Sequence, residues 1–197
     1  MIRFLIEKFE SGEFKTTEGK RVIDLGTGNG HLLFQLHEDF EEEGLSIQFE
    51  YCGIDYSPAS VKFAQEIADK QYSEVDVKFE QADLLLKSSP FIELNKGKFD
   101  ILLDKGTLDA IALNQNPLTD FGGKLGMDVY ASQVSQLMHK SSVLLITSCN
   151  FTEEELIKII SEDKSTGLSV WDKINYPSIK FGGQTGSTIC TIAFIKH

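Results

Sequence analysis

Residues 22–30 constrain the fold of this chain more than any other segment. They read Val-Ile-Asp-Leu-Gly-Thr-Gly-Asn-Gly, a short apolar run that ends in an acid and passes through three alternate glycines. Glycine lets the backbone turn tightly and lets a ligand approach without a Cβ atom in the way. A dinucleotide-binding fingerprint has the spacing Gly-x-Gly-x-x-Gly, but here the third glycine is Gly30 and His31 stands where the fingerprint needs it. The segment therefore predicts a buried strand, a ligand-binding turn and a helix, with a spacing unlike that of dehydrogenases.

Short β-branched or aromatic runs alternate along the chain with longer amphipathic stretches. This alternation is typical of a parallel sheet whose strands are joined by crossover helices. We predict helices at about 1–10, 29–40, 58–71, 126–139 and 152–161, and strands at about 21–25, 49–54, 75–80, 99–103, 142–148, 168–175 and 188–196. Only residues 176–187 separate the last two strands, too few for a crossover helix. These strands should therefore pair as an antiparallel hairpin at the sheet edge.

Composition excludes several classes of protein. Hydrophobic residues make up 41% of the chain and charged residues 25%, which is typical of a soluble globular domain. The apolar runs are too short to span a bilayer, and the amino terminus does not read as a signal peptide, so we expect a cytoplasmic protein without membrane partners. The net charge of −11 disfavours nucleic acid, because phosphates need a basic surface, and favours a basic protein partner.

The cysteines and the surface pattern add two expectations. Cys52, Cys149 and Cys190 show no Cys/His spacing of a metal site, so we predict buried, reduced thiols and no bound metal. No apolar helix face stands out as exposed, which favours a monomer.

The glycine turn resembles motif I of the class I S-adenosylmethionine-dependent methyltransferases. The resemblance implies an α/β fold: a Rossmann-like, seven-stranded, mostly parallel sheet with helices on both faces and an antiparallel C-terminal hairpin strand, here as one domain over residues 1–197. It also implies S-adenosylmethionine as cofactor and S-adenosylhomocysteine as product. Asp24 would receive the methionyl ammonium, directly or through water. The predicted cofactor-binding residues of the turn are Gly26, Thr27, Gly28, Asn29 and Gly30. A turn that serves tight packing alone is the alternative.

Two more acids follow the next strands. Asp55 ends the second strand, where a carboxylate can accept hydrogen bonds from both ribose hydroxyls, and Tyr56 can pack on the adenine. Ser57 and Pro58 look like the cap and first residue of a helix. After the third strand, the family resemblance implies that Asp83 accepts from the adenine amine. The predicted adenine contacts are Ala82, Asp83 and Leu84. Because these acids end successive strands, we expect them to converge on one crevice.

The fourth strand runs into Asp-Lys-Gly-Thr-Leu-Asp-Ala, residues 104–110. Together with the glycine turn, this motif resembles the seven-β-strand protein lysine methyltransferases that act on translation elongation factor 1-alpha. Enzymes that methylate exocyclic base amines carry Asn/Asp-Pro-Pro-aromatic at this place. The resemblance implies a lysine of elongation factor 1-alpha as the acceptor. Members of this family usually have an aromatic-rich segment before the first helix, so we expect that a short N-terminal segment is missing here.

The predicted catalytic residues are Asp104 and Thr107. A lysine has a reference pKa of about 10.4 and must lose its proton to attack a methyl group, so the site must desolvate the amine and aim it. Asp104 is placed to orient the amine, and Thr107 is either a second polar contact or a helix cap. Leu103, just before them, is a predicted cofactor contact. We expect Asp109 on the outer first turn of the next helix and Lys105 at the surface.

Three other segments receive weaker interpretations. Residues 113–126 follow the fourth strand and are a candidate substrate lip. Tyr176 and Phe181 are possible walls of a lysine channel, although the sequence does not fix on which side of the sheet they lie. Trp171 is predicted to be a core residue.

Other functions remain open at this stage. The enzyme could methylate another protein residue or a small molecule. A non-catalytic, methyltransferase-like binding module is disfavoured because Asp24, Asp55 and Asp83 are all retained. A nicotinamide dehydrogenase is disfavoured by His31 and by the short terminal hairpin.

Overall fold

The computed structural model describes residues 1–14, 19–45, 47–177, 179–181, 184–186 and 189–197. The helices are α1 (Ile2–Glu10), α2 (His31–Glu42), α3 (Pro58–Gln71), α4 (Pro90–Asn95), α5 (Thr107–Leu113), α6 (Gly126–Ser135) and α7 (Glu153–Ser161), with short 3₁₀ helices at Thr119–Phe121 and Lys164–Thr166. The strands are β1 (Lys20–Leu25), β2 (Phe49–Asp55), β3 (Val77–Gln81), β4 (Phe99–Lys105), β5 (Met138–Ser148), β6 (Leu168–Ile174), β7 (Ile179–Phe181), β8 (Gln184–Gly186) and β9 (Cys190–Lys196).

Seven strands form one sheet in the order β3-β2-β1-β4-β5-β9-β6. The pairs among β1 to β5 are parallel, and β9 lies antiparallel between β5 and β6. This confirms the predicted fold class and C-terminal hairpin, with β6 as the edge strand. The strand order reverses between β1 and β4, and in open α/β sheets ligands bind beyond the carboxyl ends of the strands at such a reversal. The topology thus places the glycine turn at a ligand crevice.

The sheet separates two hydrophobic cores. One core packs α4, α5, α6 and α7 against residues such as Ile23 and Leu102, and the other packs α1, α2 and α3 against residues such as Val22 and Leu103. Successive side chains of a strand point to opposite faces. Ile23 and Leu25 therefore belong to the first face, and Asp24 points to the second.

Local sequence signals account for the helix starts. Ser57 caps α3 by accepting a hydrogen bond from the Ser60 amide at 3.3 Å, with Pro58 in the first turn, as predicted. Thr152 and Glu155 form a reciprocal capping box at the start of α7. Each such cap contributes about 1 kcal/mol.

Several boundaries differ from the sequence prediction. Helix α2 begins at His31 rather than at 29, because Gly30 before it has φ 80°. Helix α6 ends at Ser135 and β5 already begins at Met138, where Lys196 Nζ donates to the carbonyl oxygens of both residues at 2.6 and 2.9 Å. Helix α4 was not predicted, since six residues are too few to display a helical period.

The prediction of three buried cysteines is wrong for one of them. Cys52 and Cys190 are buried, whereas Cys149 is exposed, and all three thiols are free. Strand β5 ends at Ser148, so Cys149 already lies beyond the core. Within the described ranges, no helix has the length and apolar character that crossing a membrane requires.

Candidate active site

The glycine turn joins β1 to α2 through backbone that other residues rarely adopt. Gly26, Gly28 and Gly30 have φ values of 72°, 58° and 80°. A Cβ atom on Gly26 would overlap the hydroxyl of Thr107, whereas a Cβ atom on Gly28 would meet nothing within 4 Å. Gly26 thus allows close packing of α5 on the turn. Gly28 leaves open space beside its backbone, where a ligand can approach.

Asp55 ties the ends of two strands together. It is 9% exposed, and its two carboxylate oxygens accept hydrogen bonds from the amides of Gly28 at 3.0 Å and Ser57 at 2.9 Å. Each oxygen has a further lone pair. The carboxylate therefore fixes the glycine turn and retains capacity for hydroxyl donors.

A cavity of about 610 Å³ opens at the carboxyl edge of the sheet. The predicted site residues that line it are Gly26, Asp55, Tyr56, Ala82, Asp83, Leu84 and Thr107. The lining residues that sequence reasoning did not assign to the site are Ile54, Leu85, Lys105, Gly106, Ala110, Ile111 and Asn114. Its size lies within the range of about 300–1,000 Å³ that is common for ligand pockets.

The lining fits an adenosyl cofactor. Asp55 offers carboxylate acceptors for ribose hydroxyls, and Asp83, with one oxygen already bound to the Leu85 amide at 2.8 Å, offers an acceptor for an exocyclic amine. Ala82 and Leu84 are buried apolar walls beside it. Tyr56 is 77% exposed and lines the mouth, where its ring can cover a planar base.

Asp24 lies beneath this surface and does not line the cavity. Its side chain is 3% exposed, and burial raises its pKa from 3.8 to about 7, with a smaller contribution from the charge of Asp104. A buried carboxylate is costly unless it is paired. A ligand ammonium close to Asp24 would stabilise its charged form, and this fits the predicted role of Asp24 as the partner of the methionyl ammonium. Asp24 would exert this effect from beneath the cavity wall.

The remaining predicted cofactor residues lie around the turn or behind it. Thr27 is buried, and its amide donates to Ile54 at 2.8 Å. Asn29 is exposed and accepts from the His31 amide at 3.2 Å, which supports the start of α2. Leu103 is fully buried in the core. The side chains of Asn29 and Leu103 thus have structural roles. The Thr27 hydroxyl is buried without a hydrogen-bond partner among the described residues, and the open space of the turn lies beside Gly28.

Asp104 is placed differently from its predicted role. It is fully buried and accepts hydrogen bonds from the Tyr130 hydroxyl at 2.5 Å, the Thr107 amide at 2.8 Å and the Leu108 amide at 3.1 Å. Burial raises its pKa to about 7, although these bonds oppose the rise. Asp104 thus points away from the cavity into the α6 side of the core and does not contact the cavity where an amine was predicted to bind. Its hydrogen bonds hold the amides at the start of α5.

Thr107 and Asp109 also have defined partners. The Thr107 hydroxyl donates to the Leu25 carbonyl at 2.5 Å, so Thr107 joins α5 to β1 rather than capping the helix. The prediction that Asp109 is on the outer turn is wrong. It is 5% exposed and accepts from the Ser148 hydroxyl at 2.5 Å and the Cys149 amide at 2.9 Å, because this face of α5 packs on the end of β5.

Of the candidate lip and channel residues, Asn114 lines the cavity and Tyr176 lies at the same edge of the sheet. The segment after α5 contains a bridge between Leu118 and Lys124. Tyr176 shares a hydrogen bond at 2.8 Å with Thr191, whose strand pairs with the carboxyl end of β5, so Tyr176 lies on the cavity's side of the sheet. The Phe181 side chain lies outside the described residues. Trp171, predicted to be a core residue, is only half-buried and packs against Phe4 at the border of the second core.

The helical spacing of the sequence after Thr107 could have predicted the cavity-lining residues of this segment. Ala110 and Ile111 in α5, and Asn114 just after it, follow Thr107 at helical spacing and line the cavity with it. Residues three and four apart on a helix are neighbours. Once Thr107 was assigned to the site, this spacing predicts the remaining wall residues.

Comparison with known proteins places the chain in a family. The family described as "Methyltransferase domain" matches residues 16–185. Protein-lysine N-methyltransferase EFM4 of Saccharomyces cerevisiae is 44% identical over 198 residues, which cover 100% of this chain and 78% of that protein. EEF1A lysine methyltransferase 2 of Mus musculus is 34% identical over 177 residues, which cover 89% of this chain and 63% of that protein.

The fold has matches among solved structures. A SAM-dependent methyltransferase from Methanosarcina mazei superposes with a TM-score of 0.62 at 13% identity, covering 91% of this chain and 93% of that one. Identity this low supports a shared fold alone. The family match and the EFM4 relationship extend across the glycine turn and the β4 motif, and the chain belongs to the methyltransferase-domain family that includes the protein-lysine N-methyltransferase EFM4.

Proposed function

We propose that this chain transfers a methyl group from S-adenosylmethionine to a lysine side chain of translation elongation factor 1-alpha. The observation that carries this proposal is the cavity of about 610 Å³, which joins the glycine turn, the ends of β2 and β3 and the first turns of α5. The names of the relatives, protein-lysine N-methyltransferase and EEF1A lysine methyltransferase, support the acceptor.

Three parts of the cofactor would meet three groups of residues. The Gly26–Gly28 backbone, with Asp24 beneath it, would hold the methionyl end, and Asp55 would accept from the ribose hydroxyls. Asp83, Ala82 and Leu84 would hold the adenine. When bound, the cofactor supplies a methyl group on a sulfonium, which is activated for displacement. The chain's residues therefore bind and orient, and need not activate the methyl donor.

The acceptor side would be formed by the β4–α5 junction. Asp104, which accepts a hydrogen bond from the Tyr130 hydroxyl in the interior, also accepts from the Thr107 amide at the start of α5. Thr107 ties this start to β1. The lysine nitrogen would form its bond to the methyl carbon as the carbon–sulfur bond breaks, and a proton would leave to solvent. Fixing the cavity wall in this way supports the alignment that such a displacement requires.

The charge and the exposed side chains of the chain support a partner and an oligomeric state. The net charge of −11 favours a basic protein partner. We propose a single domain that acts as a monomer in the cytoplasm. Among the described residues, the exposed large apolar side chains are scattered over separate elements, which supports the monomer.

The test is the mass of unmethylated elongation factor 1-alpha after incubation with this protein and S-adenosylmethionine. We expect a methyl mass on one lysine, located by peptide mapping, and no change without S-adenosylmethionine. Binding of S-adenosylhomocysteine is measured in parallel by calorimetry. Intact cofactor binding without methylation would move the acceptor to another protein or a small molecule. Absence of both would contradict the proposal as a whole.

A further inference from the structure

Lys105 is the charged side chain that β4 presents to the cavity. It is the last residue of β4 and lines the cavity together with Gly26. In the parallel register of β1 and β4, Leu25 lies beside Asp104, so Gly26 and Lys105 follow side by side at the carboxyl edge. The strand end that was predicted to offer an acid to the acceptor therefore offers an exposed ammonium group.

The Lys105 ammonium has no ion-pair partner within the described part of the chain. The titratable groups around Lys105 lie on several elements: Asp24 on β1, Asp55 at the end of β2 with Tyr56 after it, Asp83 after β3, Asp109 on α5 and Cys149 after β5. Asp104, on its own strand, points into the core and is bound to Tyr130. The charge of Lys105 is thus not neutralised by a direct contact.

Its electric field reaches the site. Burial raises the pKa of Asp24, and the positive charge of Lys105 opposes that rise. A hydrogen bond and the charge of Asp109 raise the pKa of the Cys149 thiol, and Lys105 again opposes the rise. A cation that acts on groups at both β1 and β5 also acts on a ligand between them.

The acids that line the cavity lie at its other end. Both oxygens of Asp55 accept backbone amides, and Asp83 accepts the Leu85 amide. These acids lie at the ends of β2 and β3, on the far side of the glycine turn from β5. At the β4–β5 end, the cavity wall carries Lys105 as its charged residue.

A methyl acceptor must present a free lone pair. With a reference pKa of about 10.4, only roughly one lysine in a thousand is unprotonated near neutral pH. A like charge nearby disfavours the ammonium form. We propose that Lys105 keeps the acceptor lysine in its unprotonated, reactive form by opposing a second positive charge in the cavity. This inference rests on the proposed function, since it requires an amine acceptor.

The experiment measures the rate of lysine methylation under saturating S-adenosylmethionine between pH 6.5 and 9.5. Lys105→Gln removes the charge, and Lys105→Arg retains it. Lys98→Gln is the matched control, because Lys98 is exposed and immediately precedes the other end of β4. Affinity for S-adenosylhomocysteine is measured for each variant.

We expect Lys105→Gln to move the pH–rate profile to higher pH. A change of one pKa unit in the acceptor corresponds to about tenfold in rate at pH 7.5 and to a smaller loss as the pH rises. Lys105→Arg and Lys98→Gln should keep the original profile, and S-adenosylhomocysteine should bind every variant within about twofold of the original affinity.

Two results would overturn the inference while leaving the proposed function intact. An equal loss of rate at every pH would assign Lys105 a structural role. Weaker S-adenosylhomocysteine binding with an unchanged profile would assign it to the cofactor. If the unsubstituted protein fails to methylate lysine, the proposed function fails and this inference fails with it.

Discussion

Replacing Asp24 by asparagine should stabilise the cofactor-free protein while weakening its affinity for the cofactor. The side chain is 3% exposed, and its pKa is raised from 3.8 to about 7 by burial. The folded protein therefore binds a proton at Asp24 more tightly than the unfolded chain does. The contribution of Asp24 to stability is greatest below pH 4 and is lost as the pH rises from about 4 to 7, because folding then requires a buried charge.

The pKa values set the size of the effect. A difference of about 3 pKa units corresponds to an upper bound of about 4 kcal/mol above pH 7. Relaxation of the site and polar contacts of the asparagine reduce this, so we expect Asp24→Asn to gain about 1–3 kcal/mol at pH 8 and little at pH 4.5. The pKa of Asp104 is raised as well, so Asp24→Asn should remove only part of the pH dependence of the protein's stability.

The assay is urea unfolding at pH 4.5 and pH 8, with and without S-adenosylhomocysteine. At a ligand concentration of one hundred times the dissociation constant, binding adds about 2.7 kcal/mol to the free energy of unfolding. This addition should be smaller in Asp24→Asn, because that variant binds the ligand more weakly. Asp100→Asn is the control at the amino end of the sheet. Asp100 accepts from Lys20 Nζ and the Arg21 amide, both at 2.9 Å, so its loss should destabilise. An Asp24→Asn variant no more stable than the original at pH 8 would refute the reasoning.

Two further substitutions test the site. Asp55→Ala should weaken S-adenosylhomocysteine binding by about 2–4 kcal/mol in calorimetry, because the ribose acceptors and the anchor of the Gly28 amide disappear together. The control variant Asp163→Ala loses a carboxylate–amide bond outside the cavity and should bind S-adenosylhomocysteine normally. Unchanged affinity in Asp55→Ala would contradict the assignment of Asp55 to the ribose. Tyr130→Phe should lower the free energy of unfolding at pH 8 by about 1–3 kcal/mol, since Asp104 loses its hydroxyl donor. The control variant Tyr72→Phe loses an exposed hydrogen bond to Glu38 and should lose less than about 1 kcal/mol. Equal losses would contradict a stabilising role for the buried pair of Tyr130 and Asp104.

Local patterns predicted the parts of the site that depend on neighbours in sequence. The glycine spacing predicted the turn, and Ser57-Pro58 predicted the start of α3. The short segment before the last strand predicted the antiparallel hairpin. Each of these features is determined within a few residues, by backbone angles, capping or chain length.

Features that depend on which side a residue faces were not predicted. Asp104 and Lys105 are adjacent, and a strand turns neighbouring side chains to opposite faces. Which of the two meets the cavity depends on how α5 and α6 pack on the sheet, and Tyr130, which binds Asp104, is far away in sequence. The burial of Asp109 likewise depends on contact with Ser148 of β5. Such contacts leave no signal in the local pattern.

The two buried acids of β1 and β4 differ in how their charge can be compensated. Asp104 has partners from the protein itself, Tyr130 and two amides. Asp24 points to the other face of the sheet, and a cationic ligand group would provide its compensation. Because such a ligand favours the ionised carboxylate, cofactor affinity should rise with pH towards 7, while the stability of the cofactor-free protein falls over the same interval. Asp104 contributes to the fall in stability as well, so Asp24 is identified as the shared group when Asp24→Asn abolishes the rise in affinity and removes part of the fall in stability.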